Sequence, residues 1–115
     1  DPDYVPAGIY GKQAMIYLKL WQQIKNRLAR TTNVRAVLNL VEQGETAAGI
    51  VYSSDAHTSK KIRVVYNFPS KTHDRISYWA ALTKKDGLTA GNGFFKILFN
   101  PNSKLVFKEH GFLVN

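Results

Sequence analysis

Between residues 33 and 68 the apolar residues change period, and that change restricts the chain to folds that mix helices with buried strands. Val34, Val37, Leu38 and Val41 recur at i, i+3, i+4 and i+7, the spacing of one helix face. Asn33 just ahead of them is a good N-cap, and Gly44 closes the helix. Residues 47–52 (Ala-Ala-Gly-Ile-Val-Tyr) then form a short continuous apolar run, the mark of a buried strand. Residues 62–68 are β-branched and aromatic and stop at Pro69, which predicts a second strand. Upstream, Ile9, Tyr10, Ala14, Met15 and Leu18 share one face of a helix over residues 7–18, with Pro6 suited to its first turn. A shorter helix is expected over residues 21–28. Downstream, residues 76–82 read as a third strand, and two helical stretches near 93–99 and 103–110 are separated by Pro101. Helices alternating with single apolar strands indicate an α/β sandwich with a mostly parallel sheet. The first helix starts about five residues in with no strand before it, and Asp1-Pro2-Asp3-Tyr4 looks like the loop that would follow one.

The chain has 115 residues, one domain or a piece of one, with 44% hydrophobic and 21% charged residues. That is too apolar for a disordered chain. It has no cysteine, which excludes disulfides, thiolate zinc sites, iron–sulfur clusters and cysteine nucleophiles. No apolar run approaches the roughly 18 residues of a membrane span. The net charge of +8 is unevenly placed: residues 1–59 carry six bases and five acids, residues 60–115 ten bases and three acids. The excess is scattered, with only Lys60-Lys61 and Lys84-Lys85 adjacent, so a solvated basic face accounts for it more simply than a nucleic-acid footprint.

The catalytic vocabulary is sparse. His57, His73 and His110 are far apart, with no His-x-x-x-His pair for a metal. His110-Gly111 reads as a helix C-terminus, where a histidine complements the dipole. Ser53-Ser54-Asp55 suits a cap after a strand, and Gly91-Asn92-Gly93 is neither a P-loop nor a dinucleotide fingerprint. The residues point away from an enzyme. What they do supply is helix starts with small side chains. Val5-Pro6-Ala7-Gly8 and Thr31-Thr32-Asn33-Val34 both lead the backbone into a helix whose first N–H groups stay approachable, a setting that attracts anions. Tyr52, ending the run from Ala47, could bring a hydroxyl to the same sheet edge. Every α/β protein has helix starts, so taken alone ordinary capping explains these better than a ligand does.

Four blocks in order resemble one family. Asp1-Pro2-Asp3-Tyr4-Val5-Pro6-Ala7-Gly8-Ile9-Tyr10, Asn33-Val34-Arg35-Ala36, Leu40-Val41-Glu42-Gln43-Gly44-Glu45 and Gly49-Ile50-Val51-Tyr52-Ser53-Ser54-Asp55-Ala56 look like the periplasmic molybdate-binding proteins of molybdate ABC transporters. Phe107-Lys108-Glu109-His110-Gly111-Phe112 is similar to that family's C-terminus. The resemblance implies a three-layer α/β sandwich, the second lobe of a type II, two-lobed solute-binding protein. Residues 1–80 would be the anion-binding lobe, lacking its first strand, and residues 81–115 a helical segment that packs on the absent first lobe.

By the same resemblance the ligand is molybdate or tungstate, gripped by neutral dipoles: the backbone N–H groups of Ala7 and Val34 and the phenolic O–H of Tyr52. No cofactor and no metal site is implied, molybdenum arriving only as its oxyanion. The partners implied are that anion and the transporter's membrane permease, with no nucleic acid. The location implied is the periplasm, with a signal peptide encoded upstream. The first lobe's serine-bearing loops are not among these residues, and Trp79 stands where a proline commonly follows the tyrosine matching Tyr78. Apolar helical faces over residues 89–112 (Phe94, Phe95, Ile97, Leu98, Leu105, Val106, Phe107) lead us to expect self-association. Two other classes stay open: the effector-sensing domain of a transcriptional regulator with the same fold, and a polyanion-binding module using the basic half.

Overall fold

The structure is a computed structural model that describes residues 1–82 and 88–114. It forms two units, Asp1–Arg75 and Ile76–Asn115. The Lys84-Lys85 pair lies outside the described residues.

The first unit is built on helix α1 (Pro6–Tyr17), a short α2 (Trp21–Ile24), α3 (Val34–Glu42), a single turn α4 (Ser53–Ala56) and a 3₁₀ turn at Ser70–Thr72. Pro6 occupies the first turn of α1, where its missing N–H costs nothing, and Val5 enters in an extended conformation. The face that α1 buries differs in part from the expected one. Ala14 is buried and Tyr10, Met15 and Leu18 half-buried, as expected, but Ile9 is exposed and Ala7 and Gly11 face inward in addition. Small residues win because the neighbouring chain comes very close: the Ile50 side chain lies 3.1 Å from where a Cβ on Gly11 would stand. The 3₁₀ turn packs on α1 as well. Gln13 donates to the Asp74 carboxylate at 2.7 Å and accepts from the Asp74 N–H at 2.9 Å.

Helix α3 agrees with its reading from sequence. The Asn33 side chain accepts from the Ala36 N–H at 2.9 Å, and Leu38 is buried. Gly44, at φ 75°, ends it with paired bonds from Glu45 N–H to the Leu40 carbonyl and from Gly44 N–H to the Val41 carbonyl. The same two-bond ending recurs after α1, with Lys19 in the left-handed conformation at φ 60°, and after α6 below, at Gly111. At Gly111 the ring of Phe112 packs edge-on against Phe107, the hydrophobic contact that accompanies this ending.

No strand occurs among the described residues, which corrects the expectation of strands over 47–52, 62–68 and 76–82 and leaves the layered parallel sheet unformed. The side-chain pattern of these runs suits a strand, yet a strand exists only as a pair, and their backbone groups meet no ladder partner among the described residues. Val64, Val65 and Tyr66 are accordingly exposed. Helix α2 also ends four residues before the expected Leu28.

In the second unit, α5 (Leu88–Leu98) begins five residues before the expected start and α6 (Pro101–Glu109) two before. Pro101 does separate them, as the first residue of α6, with the Asn100 side chain capping the Ser103 N–H at 2.8 Å.

The core is slight. Ala7, Ala14, Leu38 and Ala56 are the buried apolar residues among those described. The accessible surface is 9443 Å². Tyr4, Val65, Trp79 and Leu113 are each more than two-thirds exposed.

Candidate functional site

The candidate site is the pair of helix starts at α1 and α3. In α1 the Ile9 N–H is the first to reach an acceptor of the helical kind, the Val5 carbonyl at 2.9 Å, and no side chain caps the helix. In α3 the Val37 N–H reaches the Asn33 carbonyl at 3.4 Å, and Asn33 covers only the Ala36 N–H. The amides of Ala7 and Gly8 in one helix and of Val34 and Arg35 in the other therefore have no acceptor among the described residues. Ala7 is buried and Val34 half-buried, so water shields these donors less than at an exposed helix end.

The loops before the two helices are joined directly. The Asp1 nitrogen donates to the Thr31 carbonyl at 3.1 Å. Arg30 bridges Asp3 at 2.7 Å and Asp1 at 3.2 Å, and Lys12, from within α1, reaches Asp3 at 2.8 Å. Gly8 is what admits the first loop: a Cβ there would fall inside contact distance of the Asp1 carbonyl oxygen. The third residue, Tyr52, is the half-buried N-cap of α4. It follows the segment whose Gly49 lies against Val37 and Val41 of α3 and whose Ile50 lies against Gly11 of α1. Helix α4 in turn packs on α3. The structure thus ties the starts of α1 and α3 to each other and links Tyr52 to both helices through residues 49–51.

Lys12 and Arg30, beside these donors, are occupied by Asp1 and Asp3. Lys12 first, and Arg30 second, hold the Asp3 carboxyl below its ordinary value of 3.8 by hydrogen bonding to its charged form. A carboxyl whose folded pKa lies below its unfolded one stabilises the fold fully above the unfolded value and loses that contribution as pH falls through the folded one. An NMR titration of the Asp3 carboxyl is expected to show a midpoint below 3.8 that Lys12→Gln moves upward. A midpoint at or above 3.8 would show the bridge to be absent in solution.

The histidines are committed elsewhere. His57, His73 and His110 each place Nδ1 within 2.8 Å of a backbone carbonyl, of Ser53, Asp74 and Val106 respectively. A carbonyl can only accept, so Nδ1 carries the proton in each. His110 is the C-cap of α6, where the sequence places it. No grouping of three or more histidines and acids able to hold a metal occurs among the described residues. No described helix is long and apolar enough to cross a membrane. Sequence reasoning missed the Arg30 bridge. Its only sequence signal is opposite charge on two loops, and the 27 residues separating Arg30 from Asp3 carry no periodicity to mark it.

Against solved structures, the fold is that of a transporter's substrate-binding domain. The substrate-binding domain of a putative molybdenum ABC transporter from Clostridium difficile superposes with a TM-score of 0.82 at 31% identity, covering 96% of this chain and 49% of that one. The family model for bacterial extracellular solute-binding proteins matches residues 1–113, and the chain belongs to that family. Among its relatives, the molybdate-binding protein ModA of Escherichia coli is 39% identical over 114 residues, covering 99% of this chain and 44% of that protein. ModA of Haemophilus influenzae is also 39% identical, over 97% of this chain and 44% of its own length. A putative ABC transporter substrate-binding lipoprotein of Bacillus subtilis, YvgL, is 36% identical over 96% of this chain and 43% of its own. The chain therefore spans less than half the length of these curated relatives.

Proposed function

We propose that this chain is the anion-binding part of a solute carrier that delivers molybdate or tungstate to an ABC permease outside the cytoplasmic membrane. The amides of Ala7 and Val34 and the hydroxyl of Tyr52 donate to the oxyanion. The observation that carries the reading is the direct joining of two open helix starts, through the Asp1–Thr31 hydrogen bond and the Arg30 bridge. Two helix N-termini held together favour a dianion more than either alone. Lys12 and Arg30 are engaged by Asp1 and Asp3, so neither is a free counter-charge for the anion. Dipoles on a rigid backbone discriminate by spacing, favouring an anion larger than sulfate, and release it when the donors separate. The names of the two ModA relatives support the choice of ligand.

In the complete carrier, residues 1–80 form the binding lobe and residues 81–115 return to the other lobe. There the runs 47–52 and 62–68 find ladder partners in a three-layer α/β sandwich with a mostly parallel sheet.

The test is amide by amide. Adding millimolar molybdate to the ¹⁵N-labelled chain is expected to move the Ala7, Gly8, Val34 and Arg35 signals, and an equal concentration of sulfate to move them less. Val34→Pro removes one donor at the position where proline best suits a helix, after an Asn33 already extended at φ −160° and ψ 169°. It should abolish the response at α3 while α3 persists. Shifts spread over the lysines, with none at the four amides, would overturn the proposal.

A further inference from the structure

The two carboxylate oxygens of Asp3 serve two different elements. Oδ1 accepts from Lys12 of α1 at 2.8 Å, and Oδ2 accepts from Arg30, in the loop before α3, at 2.7 Å. The Asp3 N–H in turn donates to the Asp1 carboxylate at 2.9 Å, and the Asp1 carbonyl accepts from the Val5 N–H at 3.1 Å. Residues 1–5 are thereby wound into a turn that delivers Val5, Pro6 and Ala7 into α1. On the other side, Arg30 stands three residues before Asn33, whose carbonyl accepts from the Thr31 hydroxyl at 3.2 Å and from the Val37 N–H at 3.4 Å. One carboxylate therefore joins the segment that carries the Ala7 amide to the segment that carries the Val34 amide.

We propose that Asp3 is a positioning residue of the oxyanion site: it touches no anion itself and sets the spacing of the two open helix starts that hold one. The inference rests on the anion reading above and deepens it, by assigning the choice between anions to a side chain outside the grip. Two donor sets held rigidly prefer the anion whose size matches their separation. Donor sets released from each other adapt to a smaller anion as well. Charge alone predicts a different effect of neutralising Asp3. Lys12 and Arg30 would become available as counter-charges, and every anion would bind more tightly.

The amide titration is run with molybdate and with sulfate on the unchanged chain and on Asp3→Asn, which keeps the shape of the side chain and removes its charge. The network biases the spacing only by its own energy, so the ratio of molybdate to sulfate affinity should fall about fivefold, the scale of a surface charge network. The molybdate constant should weaken while helical circular dichroism stays unchanged, because the Asp3 side chain is 39% exposed. Asp3→Glu, which restores the carboxylate, should recover part of the ratio. Arg30→Gln cuts the tie on the α3 side alone and should lower the ratio in the same direction, and it decides the matter if Asp3→Asn loses helix. An unchanged ratio, as a purely structural role would give, or tighter molybdate binding by Asp3→Asn would overturn the proposal and leave the anion reading standing. No amide response to molybdate in the unchanged chain would overturn both.

Discussion

Titrating molybdate into the 115-residue chain should give weak binding, with a dissociation constant no tighter than about 0.1 mM, despite the resemblance to dedicated carriers. Three hydrogen bonds to a charged group contribute about 4–9 kcal/mol. Association costs an estimated 4–15 kcal/mol in lost freedom. The balance lies near zero, and each tenfold gain in affinity needs about 1.4 kcal/mol more. On the proposed reading, donors from outside these 115 residues would move the balance, because they would add hydrogen bonds without repeating the cost of bringing the anion in. Calorimetry decides the matter: a micromolar or tighter constant would mean that these residues alone form a closed site. The amide-shift experiment detects weak occupancy, so a weak constant and a correctly placed anion are compatible.

Replacing Leu38 by alanine should lower stability by about 2–5 kcal/mol, the range for emptying a buried leucine site. Small domains rarely exceed about 5–15 kcal/mol in total. Here the loss bears on a core whose other buried apolar members among the described residues are alanines. Leu38 lies in the helix whose first turn supplies the Val34 and Arg35 amides, so the variant should also lose its response to molybdate. Ile16→Ala provides the comparison. Ile16 is 54% exposed, and a surface change of that kind is expected to stay within about 0.5 kcal/mol. Urea unfolding followed by circular dichroism checks both, and equal effects at the two positions would show that Leu38 is not the centre of the first unit.

How much could be read in advance depended on how local each feature is. The start of α3 was legible because an N-cap and its amide are three residues apart, and Asn33 with Ala36 forms that bond in the structure. Gly44 and Pro101 were legible for the same reason, since backbone freedom and a missing N–H belong to single residues. The buried face of α1 was legible only in part. Periodicity placed Ala14 correctly but favoured Ile9, which is exposed, and passed over Gly11, which the close approach of Ile50 demands; nothing in the spacing of α1 announces what lies across from it. The expected strands do not form among the described residues, for a less local reason. Residues 62–68 have the composition of a strand, but pairing is a relation between two segments, and the composition of one cannot supply the other.

The candidate site divides along the same line. The sequence by itself determined where α1 and α3 begin and which residues, Ala7 and Val34, occupy their first turns, because capping and proline placement act within a few residues. Only the tertiary structure decided that the two starts belong together. It did so through a hydrogen bond from Asp1 to Thr31 and a guanidinium held between Asp1 and Asp3, contacts across about thirty residues that no local rule encodes. Loop closure over such a distance is driven by the whole packing of α1 and α3 around Gly49 and Ile50, so the juxtaposition appears only once that packing exists.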